Sequence, residues 1–145
     1  MRLTLIITTY NSPKSLSLVL NSVKNQSILP DEIIIADDGS TVNTEKIINS
    51  FKIKTNLNII HSWQKNDGFR VAKSRNKAIA KSSGEYLVLI DGDLILHTKF
   101  IEDHVRNSEE NYFVQGSRVL IDRNRTEIIF KSHFSFEGVC LRGIR

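Results

Sequence analysis

Residues 86–93 read YLVLIDGD, a run of five apolar or aromatic residues followed by an Asp-Gly-Asp triplet. This run is the most apolar strand candidate of the chain, and such runs are typical of parallel sheets. The two aspartates stand two positions apart, so both carboxylates point to one side of an extended segment. Such a pair suits Mn²⁺ or Mg²⁺, which also bind phosphate oxygens. The stretch predicts a strand that ends at a metal site, and a solvated Asp-Gly-Asp turn is the alternative interpretation.

The same order of apolar run and polar cluster occurs twice earlier in the chain. A β-branched run over 3–8 ends in TTYN at 8–11, and EIIIA at 32–36 is followed by DDGS at 37–40. The carboxyl ends of parallel strands meet at one edge of the sheet, where ligands of such sheets bind. We therefore expect the three polar clusters to lie close together.

Helices and further strands are predicted between and after these runs. Apolar residues at helical spacing predict helices that begin at Pro13 after Ser12 as the cap, that cover 44–51 and 68–82, and that include residues 100–105. Gly84 is expected to terminate the third helix in the left-handed conformation. Weaker strand signals lie over 57–61, 113–121 and 127–130. This alternation predicts an α/β fold with a mostly parallel sheet flanked by helices, in a single domain over 1–145.

The composition excludes several classes of protein. The 145 residues are 40% hydrophobic and 25% charged, as in globular chains and unlike disordered ones. Twenty Lys and Arg against 16 Asp and Glu give a net charge of +4, spread along the chain, which fits an anionic ligand or a membrane surface and requires no nucleic acid. The single cysteine excludes an internal disulfide framework and favours the cytoplasm. There is no apolar run of membrane-spanning length, no P-loop and no GxGxxG motif.

Two acidic side chains follow the second strand. Asp37 and Asp38 could accept hydrogen bonds from a nucleobase imide N–H or from ribose hydroxyls. In the alternative interpretation, Asp38 or Ser40 caps the following helix.

The segment GFRVAKSRN, residues 68–76, supplies candidate cations. Arg75 falls on a helical stripe that is otherwise small or apolar, so it needs an anionic partner. That partner is either a phosphate or a strand-end aspartate. Arg70, in the first predicted turn, has freer access to a ligand.

The motifs in this order resemble the family 2 glycosyltransferases of the GT-A fold. They are TTYN at 8–11, EIIIADDGS at 32–40, GFRVAKSRNKAI at 68–79 and YLVLIDGD at 86–93. The later stretches FIEDHV and FVQGSRVLI look most like bacterial enzymes that build lipopolysaccharide or capsule glycans.

The resemblance implies roles for individual residues. The segment 8–11 would line the nucleotide pocket, Asp38 would bind uracil, Arg70 would reach the nucleotide, and the two aspartates after the fourth strand would hold ribose and metal. The candidate nucleotide ligands are Thr8, Thr9, Tyr10, Asn11, Asp37, Asp38, Arg70, Arg75 and Asp91. The candidate metal ligands are Asp91 and Asp93, with Mn²⁺ or Mg²⁺ as the ion.

The resemblance also implies an inverting, metal-dependent transfer from a nucleotide-sugar, with a UDP-sugar as the expected donor, to a glycan or lipid-linked glycan acceptor. It places the protein in cell-surface polysaccharide or lipopolysaccharide synthesis, in the cytoplasm or at the inner face of a bacterial plasma membrane with peripheral association. The core over 1–121 would bind the donor, and 122–145 would begin the acceptor side. The surroundings of Glu137 do not match the family's general base, so the base stays unassigned, with Asp122 as the other acid nearby. We expect this chain to bind nucleotide, to transfer sugar negligibly, and to self-associate near Phe134 and Phe136.

Two alternatives stay open. The first is a non-catalytic module that binds nucleotide-sugars with the same pocket. The second is a haloacid-dehalogenase-like phosphohydrolase, in which Asp91 would be the nucleophile; Ile95 stands where such enzymes carry Thr or Val.

Overall fold

The computed structural model describes residues 1–131 and divides the chain into two compact units, Met1–Gln115 and a second that begins at Gly116. The first unit contains a four-stranded sheet in the order β3-β2-β1-β4, in which every neighbouring pair is parallel. Its elements are β1 (Leu3–Thr9), α1 (Pro13–Lys24), β2 (Glu32–Asp37), α2 (Val42–Lys54), β3 (Ile59–Trp63), α3 (Val71–Lys81), β4 (Tyr86–Asp91) and α4 (Phe100–Asn107). The second unit contains α5 (Arg123–Lys131). The predicted α/β class with a parallel sheet is confirmed.

The register brings the three polar clusters to one edge of the sheet. In β1, Thr8 pairs with Asp91 of β4, and Thr9 pairs with Asp37 of β2. Every residue of β1 and β2 is buried. These two strands are central and covered on both faces, which explains their unbroken apolar runs.

Two apolar clusters cover the two faces of the sheet. The larger one joins β-strand residues to the buried faces of α1, α2 and α4, with Leu16, Ile48 and Ile101 fully buried. The smaller one contains Ile6, Ile34, Ala36 and Ala78, so α3 covers the opposite face with a small side chain. The site edge is therefore built on a rigid sheet between two helical layers.

Some element boundaries differ from the prediction. Helix α1 begins at Pro13 as expected, but the Ser12 hydroxyl pairs with Ser15 and caps no backbone N–H. Helix α3 begins three residues later than predicted, since Gly68 has a φ of +74° and precedes the helix. The expectation of a left-handed Gly84 is wrong: a Cβ there would lie 2.5 Å from Thr4 Oγ1, so this glycine permits close approach of the chain to β1.

Both late strand predictions are wrong. Residues 113–121 have no regular secondary structure, and 127–130 lies inside α5. The Asp122 carboxylate accepts the Arg125 N–H at 2.9 Å, and Glu127 pairs with Lys131 one turn later. These capping and i,i+4 contacts favour a helix over the strand suggested by the β-branched residues.

None of the helices within residues 1–131 is long and apolar enough to cross a membrane. The predicted association surface at Phe134 and Phe136, and the acid Glu137, lie outside the described residues.

Candidate functional site

The loop after β1 is tied to both neighbouring strand ends. Thr8 Oγ1 lies 3.0 Å from Asp91 Oδ1 and 3.1 Å from the Ile90 carbonyl oxygen. Asn11, with a φ of +46°, donates its N–H to Ser40 Oγ at 2.9 Å and accepts the Thr41 N–H at Oδ1, also at 2.9 Å. This loop and the loop after β2 therefore form one hydrogen-bonded wall.

The other two residues of TTYN differ in accessibility. Thr9 is buried: its carbonyl accepts the Asp38 N–H, and its hydroxyl has no partner within residues 1–131. Tyr10 is half exposed, and its hydroxyl accepts a hydrogen bond from Asn66 at 3.0 Å. Of the two, Tyr10 is the side chain that a ligand could reach.

Asp37 supports the loop from inside. It is fully buried, its Oδ1 accepts the Ser40 N–H at 2.8 Å, and its Oδ2 lies 2.8 Å from His61 Nε2. Burial by itself raises the pKa of the Asp37 carboxyl, but the hydrogen bonds from His61 and Ser40 outweigh it and hold the pKa below its usual range. These contacts make Asp37 a structural anchor in the described residues, and its role toward a nucleotide stays a prediction.

Asp38 accepts one hydrogen bond on each carboxylate oxygen. Gln64 Nε2 donates to Oδ1 at 2.6 Å, and the Arg70 N–H donates to Oδ2 at 2.7 Å. The alternative that Asp38 or Ser40 caps α2 is wrong, because that helix begins at Val42 with Thr41 at the cap position. Asp38 instead joins the end of β2 to the segment 64–70.

The segment 64–70 lies directly against the turn after β2. A Cβ on Gly39, which has a φ of +94°, would lie 2.5 Å from the Asn66 backbone, so this contact requires glycine. Arg70 follows at the start of α3, with its half-exposed guanidinium 2.6 Å from Asp67 Oδ2. A ligand phosphate would reach this guanidinium from solvent in competition with Asp67.

Arg75 and Asp91 form the ion pair that the sequence left as one of two possibilities. Arg75 Nη2 lies 2.5 Å from Asp91 Oδ1 and 3.3 Å from Thr8 Oγ1. Both side chains stay accessible, at 37% and 48% exposed, and Asp91 Oδ2 has no partner within residues 1–131. The pair can therefore meet a ligand through its unused donors and acceptor.

Asp93 is exposed and makes no hydrogen bond or ion pair within the described residues. A Cβ on Gly92, between the two aspartates, would lie 2.5 Å from the Thr8 carbonyl oxygen, so the turn packs tightly on β1. Within residues 1–131 no group of three or more His, Cys, Asp or Glu side chains could hold a metal by itself. Two carboxylates with open oxygens fit Mg²⁺ or Mn²⁺, which keep waters and complete their shell with substrate phosphates.

The sequence predicted no hydrogen bond at the site for four side chains: His61, Gln64, Asn66 and Trp63, whose indole N–H donates to the Ser40 carbonyl at 3.1 Å. The strand β3 ends at Trp63, two residues later than predicted. The polar residues QKN at 64–66 follow this parallel strand, so the rule used for the other three strand ends would have marked them as site candidates.

Comparisons with known proteins bear on the family and the fold. The family described as Glycosyl transferase family 2 matches residues 4–143. Chondroitin synthase of Escherichia coli is 30% identical over 126 residues, which are 85% of this chain and 18% of that protein. Hyaluronan synthase of Pasteurella multocida is 30% identical over 123 residues, 83% of this chain and 12% of that protein.

A solved structure is similar as well. Staphylococcus aureus TarS 1–349, in complex with UDP-GlcNAc, aligns with a TM-score of 0.62 at 30% identity, over 73% of this chain and 30% of that one. The fold is therefore GT-A, as the motifs predicted, and the family match sets aside the phosphohydrolase alternative. This chain spans 18% and 12% of the length of the two synthases. It belongs to glycosyl transferase family 2.

Proposed function

We propose that the carboxyl edge of this sheet binds a UDP-sugar together with a divalent cation, for transfer of the sugar to a hydroxyl of a glycan acceptor. The observation that carries the proposal is the convergence of the ends of β1, β2 and β4 at one edge. This edge carries the Asp38 carboxylate as an acceptor for a base, the accessible ion pair of Arg75 with Asp91, and the second carboxylate of Asp93. TarS, which is 30% identical over the similar region, has been solved with UDP-GlcNAc.

Each group has a chemical task in this proposal. Asp38 accepts the imide N–H of uracil, because its carboxylate oxygens keep lone pairs beyond the two hydrogen bonds that they already accept. Arg70 and Arg75 meet the diphosphate, and Asp91 accepts a ribose hydroxyl at Oδ2. Asp93, exposed and unpaired within residues 1–131, is the main metal ligand.

A cation held by Asp91 and Asp93 would neutralise the diphosphate as it leaves. The acceptor hydroxyl would attack the anomeric carbon from the opposite face, which inverts its configuration. We assign no general base within residues 1–131, since Asp122 is engaged as the cap of α5. Cell-surface polysaccharide or lipopolysaccharide synthesis at the cytoplasmic face of the membrane is the setting we propose.

Binding of UDP tests this function directly. With Mn²⁺ present, UDP at one hundred times its Kd should stabilise the folded chain by about 2.7 kcal/mol. A rise in Tm with UDP plus Mn²⁺, larger than with either alone, is the expected result. Calorimetry that finds no heat of UDP binding to the folded protein would contradict the proposal.

A further inference from the structure

We propose that Gln64 is a positioning residue for the base-binding carboxylate, and that it sets the preference for a base with a ring imide N3–H, as in uracil, over one whose N3 is an acceptor, as in cytosine. The inference rests on the proposed function. It goes beyond that function because Gln64 would not itself contact the nucleotide; it would act through Asp38.

The contacts of Gln64 tie it to three segments of the site edge. It is 6% exposed and follows β3 directly. Its backbone N–H donates to the Asp37 carbonyl at 3.2 Å. Its side-chain amide donates to Asp38 Oδ1 at 2.6 Å and to the Arg70 carbonyl at 3.3 Å. Since both partners are acceptors, the amide nitrogen must face them.

This arrangement fixes the rotation of the Asp38 carboxylate. The last torsion of an aspartate is broad and only loosely held by its own preferences. Two donors on different oxygens, Gln64 Nε2 and the Arg70 N–H, define the carboxylate plane where one donor would not. An acceptor for a planar base must hold its lone pairs in the plane of the base N–H, so loss of Gln64 should weaken base recognition more than phosphate recognition.

The other half of the amide argues against a purely structural role. Gln64 Oε1 is buried and has no partner within residues 1–131. A buried amide with one unpartnered oxygen costs free energy that an apolar side chain of similar size would not, so its presence at this position calls for an explanation. Holding Asp38 supplies that explanation.

The charged surroundings decide what a carboxylate at this position would do. Besides Asp38, the titratable or charged groups on the adjoining segments are Asp37 with His61, Arg70 with Asp67, and Lys65. The guanidinium of Arg70 is engaged with Asp67. In Gln64→Glu, two carboxyl oxygens would meet about where Nε2 and Oδ1 now lie. Like charges at that separation cannot both ionise freely, so the pair should share a proton with a raised apparent pKa.

The experiment measures Kd for UDP and CDP by calorimetry, with Mn²⁺, for the 145-residue chain and three variants. Gln64→Ala should raise the Kd for UDP roughly tenfold and change that for CDP little, because cytosine has no N3–H for Asp38 to accept. Gln64→Glu should bind UDP almost as the unchanged chain does at pH 5, where the shared proton replaces the amide donor. By pH 8 its affinity for UDP should be roughly tenfold or more below that of the unchanged chain at the same pH.

Gln115→Glu, the same chemical change at an exposed position of the first unit, should follow the unchanged chain at every pH. Circular dichroism of each variant shows that it is folded. A folded Gln64→Ala with the original ratio of UDP to CDP affinity, or a Gln64→Glu with no added pH dependence, would overturn the inference and leave the proposed function standing. Failure of the unchanged chain to bind UDP would overturn both.

Discussion

Asp93 and Asp38 are both aspartates that follow a strand, yet their surroundings give them different roles. Asp93 is exposed and unpaired within the described residues, whereas Asp38 is buried and accepts two hydrogen bonds. A carboxylate with no protein partner can receive a cation at no cost in existing contacts. A carboxylate held in one orientation is suited to accept a directed hydrogen bond from a base.

This contrast predicts two separable effects on UDP binding. Asp93→Ala should abolish the part of the affinity that depends on Mn²⁺ and leave the Tm of the free protein almost unchanged. Asp38→Ala should weaken the binding of UDP by about 1–3 kcal/mol with or without the metal, because it removes a charge-assisted hydrogen bond. Calorimetry with and without Mn²⁺ distinguishes them, and each variant is the control for the other. Undiminished Mn²⁺ dependence in Asp93→Ala would place the metal elsewhere.

At the scale of elements, the segment 64–70 and the turn after β2 are packed so closely that only glycine fits at position 39. Gly39 and Gly68 both have positive φ values, +94° and +74°, but only Gly39 has backbone within reach of a Cβ. A larger residue at position 68 would therefore introduce backbone strain alone, whereas one at position 39 would also clash with the neighbouring loop.

Gly39→Ala should both destabilise the fold and lower the affinity for UDP, since it pushes the segment that carries Gln64 and Arg70 away from Asp38. Gly68→Ala, the matched control, should cost only about 1–2 kcal/mol of left-handed strain. Urea denaturation and UDP titration of both variants test this. Equal losses of UDP affinity would show that the contact between the two loops has no part in binding.

The buried histidine of helix α4 should make the stability of the fold depend on pH. His104 is buried beside Phe100, and its Nδ1 lies 3.1 Å from the Tyr86 hydroxyl. Burial lowers the pKa of His104, and the nearby Asp103 offsets this only in part. Because the folded-state pKa lies below the usual 6.5, the unfolded chain binds more protons just below that pH. The contribution of His104 to the free energy of unfolding is therefore fully present above about pH 6.5 and is lost as the pH falls through the folded-state pKa.

Urea denaturation between pH 7.5 and 5 should show this decrease, and His104→Phe should reduce its slope. The other histidines remain in that variant, so the difference between the two slopes isolates His104. Identical slopes would mean that His104 titrates in the folded protein as it does in the unfolded chain.

At the scale of the whole molecule, every described candidate ligand lies within the unit Met1–Gln115. Residues 1–115 should therefore bind UDP with Mn²⁺ within about twofold of the affinity of the 145-residue chain. Calorimetry on both chains tests this, with circular dichroism to show that the shorter one is folded. A large loss of affinity in the shorter, folded chain would mean that residues 116–145 contribute to the site.

Local sequence patterns were enough to predict the four strands of the sheet. The apolar run EIIIA forms a strand that is buried on both faces, whereas YLVLI forms the edge strand β4, in which Leu89 is exposed. Because both strands are parallel to β1, the polar residues after them share one edge of the sheet. From these runs we predicted the α/β fold, a mostly parallel sheet, and the position of Thr8, Asp38 and Asp91 at one edge of it. The motifs also predicted the family, because four of them stand in one order along the chain.

Which of these side chains are held by protein partners depends on contacts between distant parts of the chain. Pattern and spacing do not reveal that Arg75 pairs with Asp91, that His61 holds Asp37, or that Gln64 holds Asp38, because these partners lie 16 to 26 residues apart along the chain. The strand predicted over 127–130 failed because the cap at Asp122 and the ion pair of Glu127 with Lys131 favour a helix there, while 113–121 forms no regular element. Local sequence decides which backbone each segment prefers; long-range contacts decide which polar atoms stay open to a ligand.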